Sequence, residues 1–97
     1  MTSRSHACLF TKDHCLPCTK TKDYLREVLA EGDNLGQFIS VLKKENHTAL
    51  VTAYELDTYP TLLLVDSLGN EQARVVGGKK VREILPGMLK TLEAFKK

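Results

Sequence analysis

Apolar residues recur along this chain with two rhythms, one suited to strands and one to helices. His6 to Thr11 (His-Ala-Cys-Leu-Phe-Thr) is a short apolar run and predicts a buried strand. Lys12-Asp13-His14 is a polar connection. From about Pro17 to Ala30 the spacing turns helical: Tyr24, Leu25, Val28 and Leu29 share one face, and Lys20, Lys22, Arg26 and Glu27 largely the other. Pro17 suits a first helical turn, where its missing N–H costs nothing. Gly32-Asp33-Asn34 predicts a stop and a turn. Gln37 to Leu42 predicts a second strand from its β-branched and aromatic content. Asn46-His47-Thr48 can cap a short helix reaching about Leu56, with Leu50, Val51 and Tyr54 inward.

Asp57-Thr58-Tyr59-Pro60 ends that helix. Thr61 to Val65 is a continuous apolar run, the mark of a strand covered on both faces. After a turn at Ser67-Leu68-Gly69-Asn70, Gln72 to Val76 predicts a fourth strand ending at Gly77-Gly78. The last segment carries an amphipathic stripe of Val81, Ile84, Leu85, Met88, Leu89, Leu92 and Phe95. Pro86 lies inside it and predicts a kink or short break near Leu85. The predicted order is β-α-β-α-β-β-α. Two parallel strands joined by a crossover helix, then a hairpin and a closing helix, make a three-layer α/β domain.

Composition adds bounds. The 97 residues fit one domain, 1–97, and a hydrophobic share of 42% with 27% charged residues is that of a globular chain. A formal charge of +2 is too weak by itself to argue for nucleic acid or anionic lipid. No apolar run approaches the ~20 residues that span a bilayer. Met1 to His6 has no apolar h-region of a secretory signal, so the expected setting is cytoplasmic.

Candidate chemistry concentrates in three cysteines, Cys8, Cys15 and Cys18, all near the start of the chain. They cannot staple the remainder, and two close cysteines in a reducing compartment point to a metal site or a reactive dithiol. Cys15-Leu16-Pro17-Cys18 falls where the first strand meets the first helix. A helix N-terminus offers unsatisfied N–H groups and a partial positive charge, both of which stabilise a thiolate. Cys15 should be exposed there and act as the nucleophile. Cys18, one turn on and more shielded, would resolve the mixed disulfide. Two other readings stand beside this one. A zinc module would use Cys8, Cys15, Cys18 and His6 or His14, since zinc needs four converging ligands. A redox-inert domain would offer only a peptide-binding edge.

Several residues carry blander readings. Cys8 reads as a buried small hydrophobe. His14 reads first as a solvent-facing loop residue, with tuning of the neighbouring thiolate as the second option. His6, His47, Lys79-Lys80 and Lys96-Lys97 read as surface, and Tyr24 and Tyr54 as packing residues. The second constellation is Tyr59-Pro60-Thr61, before the buried strand. If the Tyr59-Pro60 bond is cis, the Tyr59 backbone can face the dithiol and pair with an extended substrate as an added strand.

These residues resemble the thioredoxin/glutaredoxin superfamily: Cys15-Leu16-Pro17-Cys18 after a first strand, Tyr59-Pro60-Thr61-Leu62-Leu63-Leu64, and Val76-Gly77-Gly78. The similarity spans nearly the whole chain in order and spacing. Pro17 before the second cysteine is similar to thioredoxin, whereas the approach Leu9 to His14 and the Gly77-Gly78 pair look more like glutaredoxin. The resemblance implies a thioredoxin-like fold with a mixed four-stranded sheet and a cis Pro60. It implies a disulfide reductase in which Cys15 and Cys18 need no cofactor beyond their own redox-active disulfide. Substrate would meet Lys12, His14, Leu16, Pro17, Tyr59, Pro60, Gly77 and Gly78. Implied partners are disulfide-bearing proteins, ribonucleotide reductase among them, and thioredoxin reductase or glutathione as reductant, for a monomer without metal, nucleic acid or membrane.

Three positions depart from the family pattern. His14 stands where thioredoxins carry tryptophan, and Leu9 where they bury an aspartate. Lys79-Lys80 follow the Gly-Gly pair, where glutaredoxins use an acidic or small polar residue. Two ammonium groups there disfavour the amino group of glutathione, although Lys12 can attract one of its carboxylates. The resemblance therefore points to a protein-disulfide reductant recharged by a thioredoxin reductase, with the glutathione-dependent alternative beside it.

Overall fold

His6–Thr11 forms β1, which runs through the middle of a four-stranded sheet of order β2-β1-β3-β4. In chain order the elements are β1, α1 (Leu16–Glu31), a 3-10 turn (Leu35–Phe38), β2 (Ile39–Lys43), a second 3-10 turn (Lys44–Asn46), α2 (Thr48–Ala53), β3 (Thr61–Val65), β4 (Glu71–Val76) and α3 (Gly78–Lys96). The computed structural model describes residues 5–31 and 35–96, without the side chains of Phe95 and Lys96. The expected turn at Gly32-Asp33-Asn34, the inward Phe95 and the Lys96-Lys97 end lie outside that description.

β1 pairs in parallel with β2, Leu9 opposite Val41, and antiparallel with β3, Leu9 opposite Leu62. β3 and β4 form an antiparallel hairpin with an irregularity between Leu64 and Val65. Side chains alternate across the sheet and feed two cores. On one face Ala7, Leu9 and Leu62 pack against Leu25 and Val28 of α1 and Val81, Leu85, Leu89 and Leu92 of α3. On the other, Phe10, Leu63 and Val65 pack with Leu56, joined by Val51, Tyr54 and Tyr59. Leu62 and Leu63 are both fully buried, so β3 is covered on each face as its apolar run requires. This is the mixed, three-layer α/β/α arrangement expected.

The differences are local. Gln37 and Phe38 belong to a 3-10 turn rather than to the strand, because three residues per turn aim both Leu35 and Phe38 into the core. The second helix stops at Ala53, short of Leu56. Glu55 takes φ 53°, its N–H donates to Thr52 O at 3.2 Å, and Leu56 N–H donates to Val51 O at 3.0 Å. This pair of bonds is a Schellman closure made without glycine, which is why no breaker marks it in the sequence. Leu50 and Ile84, both expected inward, are exposed; α2 buries none of its residues fully, and the buried stripe of α3 runs through Val81, Leu85, Leu89 and Leu92.

Of the kink or short break expected near Leu85, the break does not occur: α3 continues through Pro86. Val81 and Leu85 before it and Leu89 and Leu92 after it enter the same core. Burial of such side chains contributes about 1.5–3 kcal/mol each. Together they outweigh the roughly 3 kcal/mol that a proline costs inside a helix. Leu89→Ala is therefore expected to lower the unfolding free energy by about 2–5 kcal/mol. Ile84→Ala should change it by roughly 0.5 kcal/mol or less, as an exposed site does. Urea unfolding of both variants measures the contrast.

Candidate active site

The site begins where β1 ends. His14 turns the chain with φ 54°, and Cys15 follows as the residue that opens α1. Its carbonyl accepts the Thr19 N–H at 3.1 Å, the first bond of the helix. Its sulfur accepts the Cys18 N–H at 3.2 Å. Cys15 is therefore an N-cap residue whose Sγ occupies the place usually taken by a serine or aspartate oxygen. Cys15 and Cys18 are joined as a disulfide, with Cα atoms 5.2 Å apart. Cys15 is not exposed as expected; 8% of it is accessible, against 1% for Cys18. The cover comes from the loop before β3, whose Tyr59 carbonyl oxygen lies 3.9 Å from Cys15 Sγ. The order of access between the two residues is as expected.

The Tyr59-Pro60 bond is cis, and Pro60 is buried. The Pro60 carbonyl accepts the Gly77 N–H at 3.0 Å, tying this loop to the end of β4. Gly77 has φ 96°, a conformation natural to glycine. Gly78 then brings the start of α3 against the start of α1: a Cβ there would stand 3.2 Å from Pro17 Cβ and 2.9 Å from Arg82 Nη1. Below this contact the buried Thr21 hydroxyl donates to Pro17 O at 2.8 Å and accepts from Arg82 Nη1 at 3.2 Å. The backbone thus brings Cys15, Leu16, Pro17, Cys18, Tyr59, Pro60, Gly77 and Gly78 to one end of the sheet. Leu16, 66% exposed, presents an apolar side chain beside the sulfurs.

Lys12 and His14 lie exposed on the β1–α1 loop. Among the described residues the His14 ring makes no hydrogen bond to either sulfur. Leu9, at the position where the family pattern has an aspartate, is fully buried in an apolar core. Cys8 faces the α2 side of the sheet, half-buried, and desolvation pushes its thiol up from its ordinary pKa. His6 meets Ser40 Oγ at 2.8 Å, and burial lowers its pKa. Among the described residues no group of three or more His, Cys, Asp or Glu converges to hold a metal, so the ligand set of the zinc alternative is not assembled.

The end of β2 and the 3-10 turn after it supply residues with no signal in the sequence beyond a short charge run. Lys43 Nζ pairs with Asp13 at 2.8 Å, and Glu45 accepts the Asp13 N–H at 3.2 Å. Lys44 Nζ stands 5.5 Å from the centre of the Tyr59 ring, a cation–π distance. The Tyr59 hydroxyl donates to Leu56 O at 3.2 Å; desolvation, then the charges of Asp57 and Glu45, push its pKa up. This turn thereby grips both the loop that leads into Cys15 and the residue that faces it.

The hydrogen bond from Lys43, helped by its charge, holds the Asp13 carboxyl below its ordinary value of 3.8. A depressed carboxyl stabilises the fold above that value, and the contribution disappears as pH falls through the lower, folded one. Asp13→Asn is expected to be less stable than the parent at neutral pH. The gap should close on acidification well below 3.8, as followed by thermal unfolding of both proteins across that range.

Comparison with known proteins bears on the whole arrangement. No protein-family model matches the sequence, and no curated protein matches it. Solved structures do match in three dimensions. The germline-specific thioredoxin Deadhead of Drosophila melanogaster superposes with a TM-score of 0.70 at 18% identity, over 92% of this chain and 81% of that one. The reduced thioredoxin of Schistosoma mansoni gives 0.72 at 17% identity, over 92% and 79%. Thioredoxin-2 of a malaria parasite gives 0.68 at 18% identity, over 94% and 85%. A cysteine pair opening the first helix, a cis proline facing it and a mixed sheet of this order together give the chain a thioredoxin fold.

Proposed function

We propose that this protein is a thiol–disulfide oxidoreductase that reduces protein disulfides through Cys15 and Cys18. The observation that carries the reading is the Cys18 N–H donated to Cys15 Sγ at the opening of α1, with the Tyr59 carbonyl 3.9 Å away. A sulfur in that place is stabilised as a thiolate by the donor and by the positive end of the helix.

The reduced protein attacks with the Cys15 thiolate. One substrate S–S bond breaks, a mixed disulfide forms, and the departing thiolate takes a proton. Cys18 then gives up its proton and its thiolate attacks Cys15 Sγ. The intramolecular disulfide forms, the mixed disulfide breaks, and the second substrate thiolate leaves and is protonated. The substrate gains two electrons and two protons; the protein supplies both electrons and the Cys18 proton, and solvent returns the proton that Cys15 released on becoming a thiolate. With Leu9 apolar where the family pattern has an aspartate, His14 or water would have to take the Cys18 proton. An extended substrate strand would lie along Tyr59, with Leu16 and Gly77-Gly78 as flanks.

For the reductant we favour a thioredoxin reductase over glutathione. Lys79 and Lys80 follow Gly77-Gly78 in the first turn of α3, exposed, where the ammonium of glutathione would meet like charge. A reducing compartment such as the cytoplasm suits this cycle.

Cys15→Ser is expected to abolish reduction of a disulfide substrate. Cys18→Ser should instead accumulate a mixed disulfide, visible as an adduct by mass spectrometry under non-reducing conditions. The oxidised parent should regain its thiols with NADPH and thioredoxin reductase, and slowly or not at all with glutathione and glutathione reductase. An active Cys15→Ser variant would refute the mechanism, and the reverse preference would refute the choice of reductant.

A further inference from the structure

The charge of this chain is small in sum and unevenly placed. The dithiol end of the sheet carries Lys12 on the loop into Cys15, Lys44 over the Tyr59 ring, and Lys79 and Lys80 in the first turn of α3. Among the described residues none of these four ammonium groups makes an ion pair. The carboxylates on that side are few. All are exposed: Asp13 is paired with Lys43, Glu45 accepts the Asp13 N–H, and Asp57 and Glu45 both act on Tyr59.

The far end is different. There Glu27 and Glu31 close α1, Asp66 lies in the β3–β4 turn, and Glu71 opens β4. Among the described residues, cations farther from the dithiol have acidic neighbours: Arg74 pairs with Glu71 at 2.7 Å, Arg26 with Asp23 at 3.4 Å, and Lys90 lines a groove with Glu27 and Glu31. Lys79 and Lys80 also sit where a helix least favours cations, since the N-terminal end of the macrodipole is positive. Neither α1 nor α3 has an acidic residue in its first turn, so both helices point uncompensated positive ends at the site.

We propose that the disulfides this protein reduces are flanked by acidic polypeptide segments. The inference rests on the reductase reading above and names its substrate class. An acidic strand approaching Tyr59 meets Lys44 on one side and Lys79 and Lys80 on the other. Attraction of this kind acts mainly on the rate of encounter and weakens as salt screens it.

The test uses two synthetic peptides, each closed by one disulfide, whose flanks are all glutamate in one and all lysine in the other. Pre-reduced protein freed of reductant is mixed with each, and peptide thiols are measured with time. The acid-flanked peptide is expected to react at least about tenfold faster in ~0.01 M salt, where the screening length is about 30 Å, and the two should converge in ~1 M salt, where it is about 3 Å. The double substitution Lys79→Glu with Lys80→Glu should slow the acid-flanked peptide and speed the lysine-flanked one. Glutamate is favoured at a helix start, so the variant is expected to fold. Equal rates for both peptides with an active protein, or a variant that slows both alike, overturn the inference and leave the reductase reading standing. No reduction of either peptide overturns both.

Discussion

The site depends on one hydrogen bond, from the Cys18 amide to the Cys15 sulfur. Every α-helix begins with N–H groups that have no partner inside the helix. Here one of them is satisfied by a side chain that is itself the candidate nucleophile. The same donor that caps the helix also stabilises negative charge on sulfur, so folding and reactivity draw on a single interaction. Pro17 belongs to the arrangement, since it brings no N–H of its own into the first turn and its ring meets the start of α3.

That helix start would be an ordinary one without what surrounds it. β1 and β3 are the two central strands, and their register sets Phe10 opposite Thr61, so the chain leaving β1 emerges beside the chain entering β3. The Tyr59 carbonyl reaches Cys15 for this reason. Thr61 also pairs with Val76, which brings Gly77 within reach of the Pro60 carbonyl. Three segments far apart in sequence thus meet through the ladder of one sheet. Leu62 and Leu63, buried on opposite faces of β3, hold the ladder in that register, because a slip of one residue would exchange the two cores.

The 3-10 turn between β2 and α2 contributes a different kind of order. Its residues touch neither sulfur. Through Glu45, next to the Lys43–Asp13 ion pair at the end of β2, it ties down the loop into Cys15, and through Lys44 it covers Tyr59. The ion pair is solvent-exposed, and exposed pairs contribute little to stability. Its consequence is positional: it engages Asp13 and leaves the neighbouring ammonium groups to set the charge around the dithiol.

Residue order and spacing by themselves determined the two apolar strands at His6–Thr11 and Thr61–Val65, the amphipathic faces of α1 and α3, and the place of Cys15-Leu16-Pro17-Cys18 at a strand–helix junction. Periodicity and capping are local, and local chemistry is readable residue by residue. Where several long-range terms compete, the pattern was silent or misleading. Pro86 marks a break that core packing on both sides of it overrides, and Glu55 closes α2 in a conformation that sequence assigns to glycine. The tertiary structure alone decided that Cys15 lies beneath the Tyr59 carbonyl, that Lys44 covers the tyrosine ring, and that Gly78 brings α3 against Pro17. Each of those contacts joins residues from separate elements. Their free energy comes from burial and pairing that exist only once the sheet has set its register.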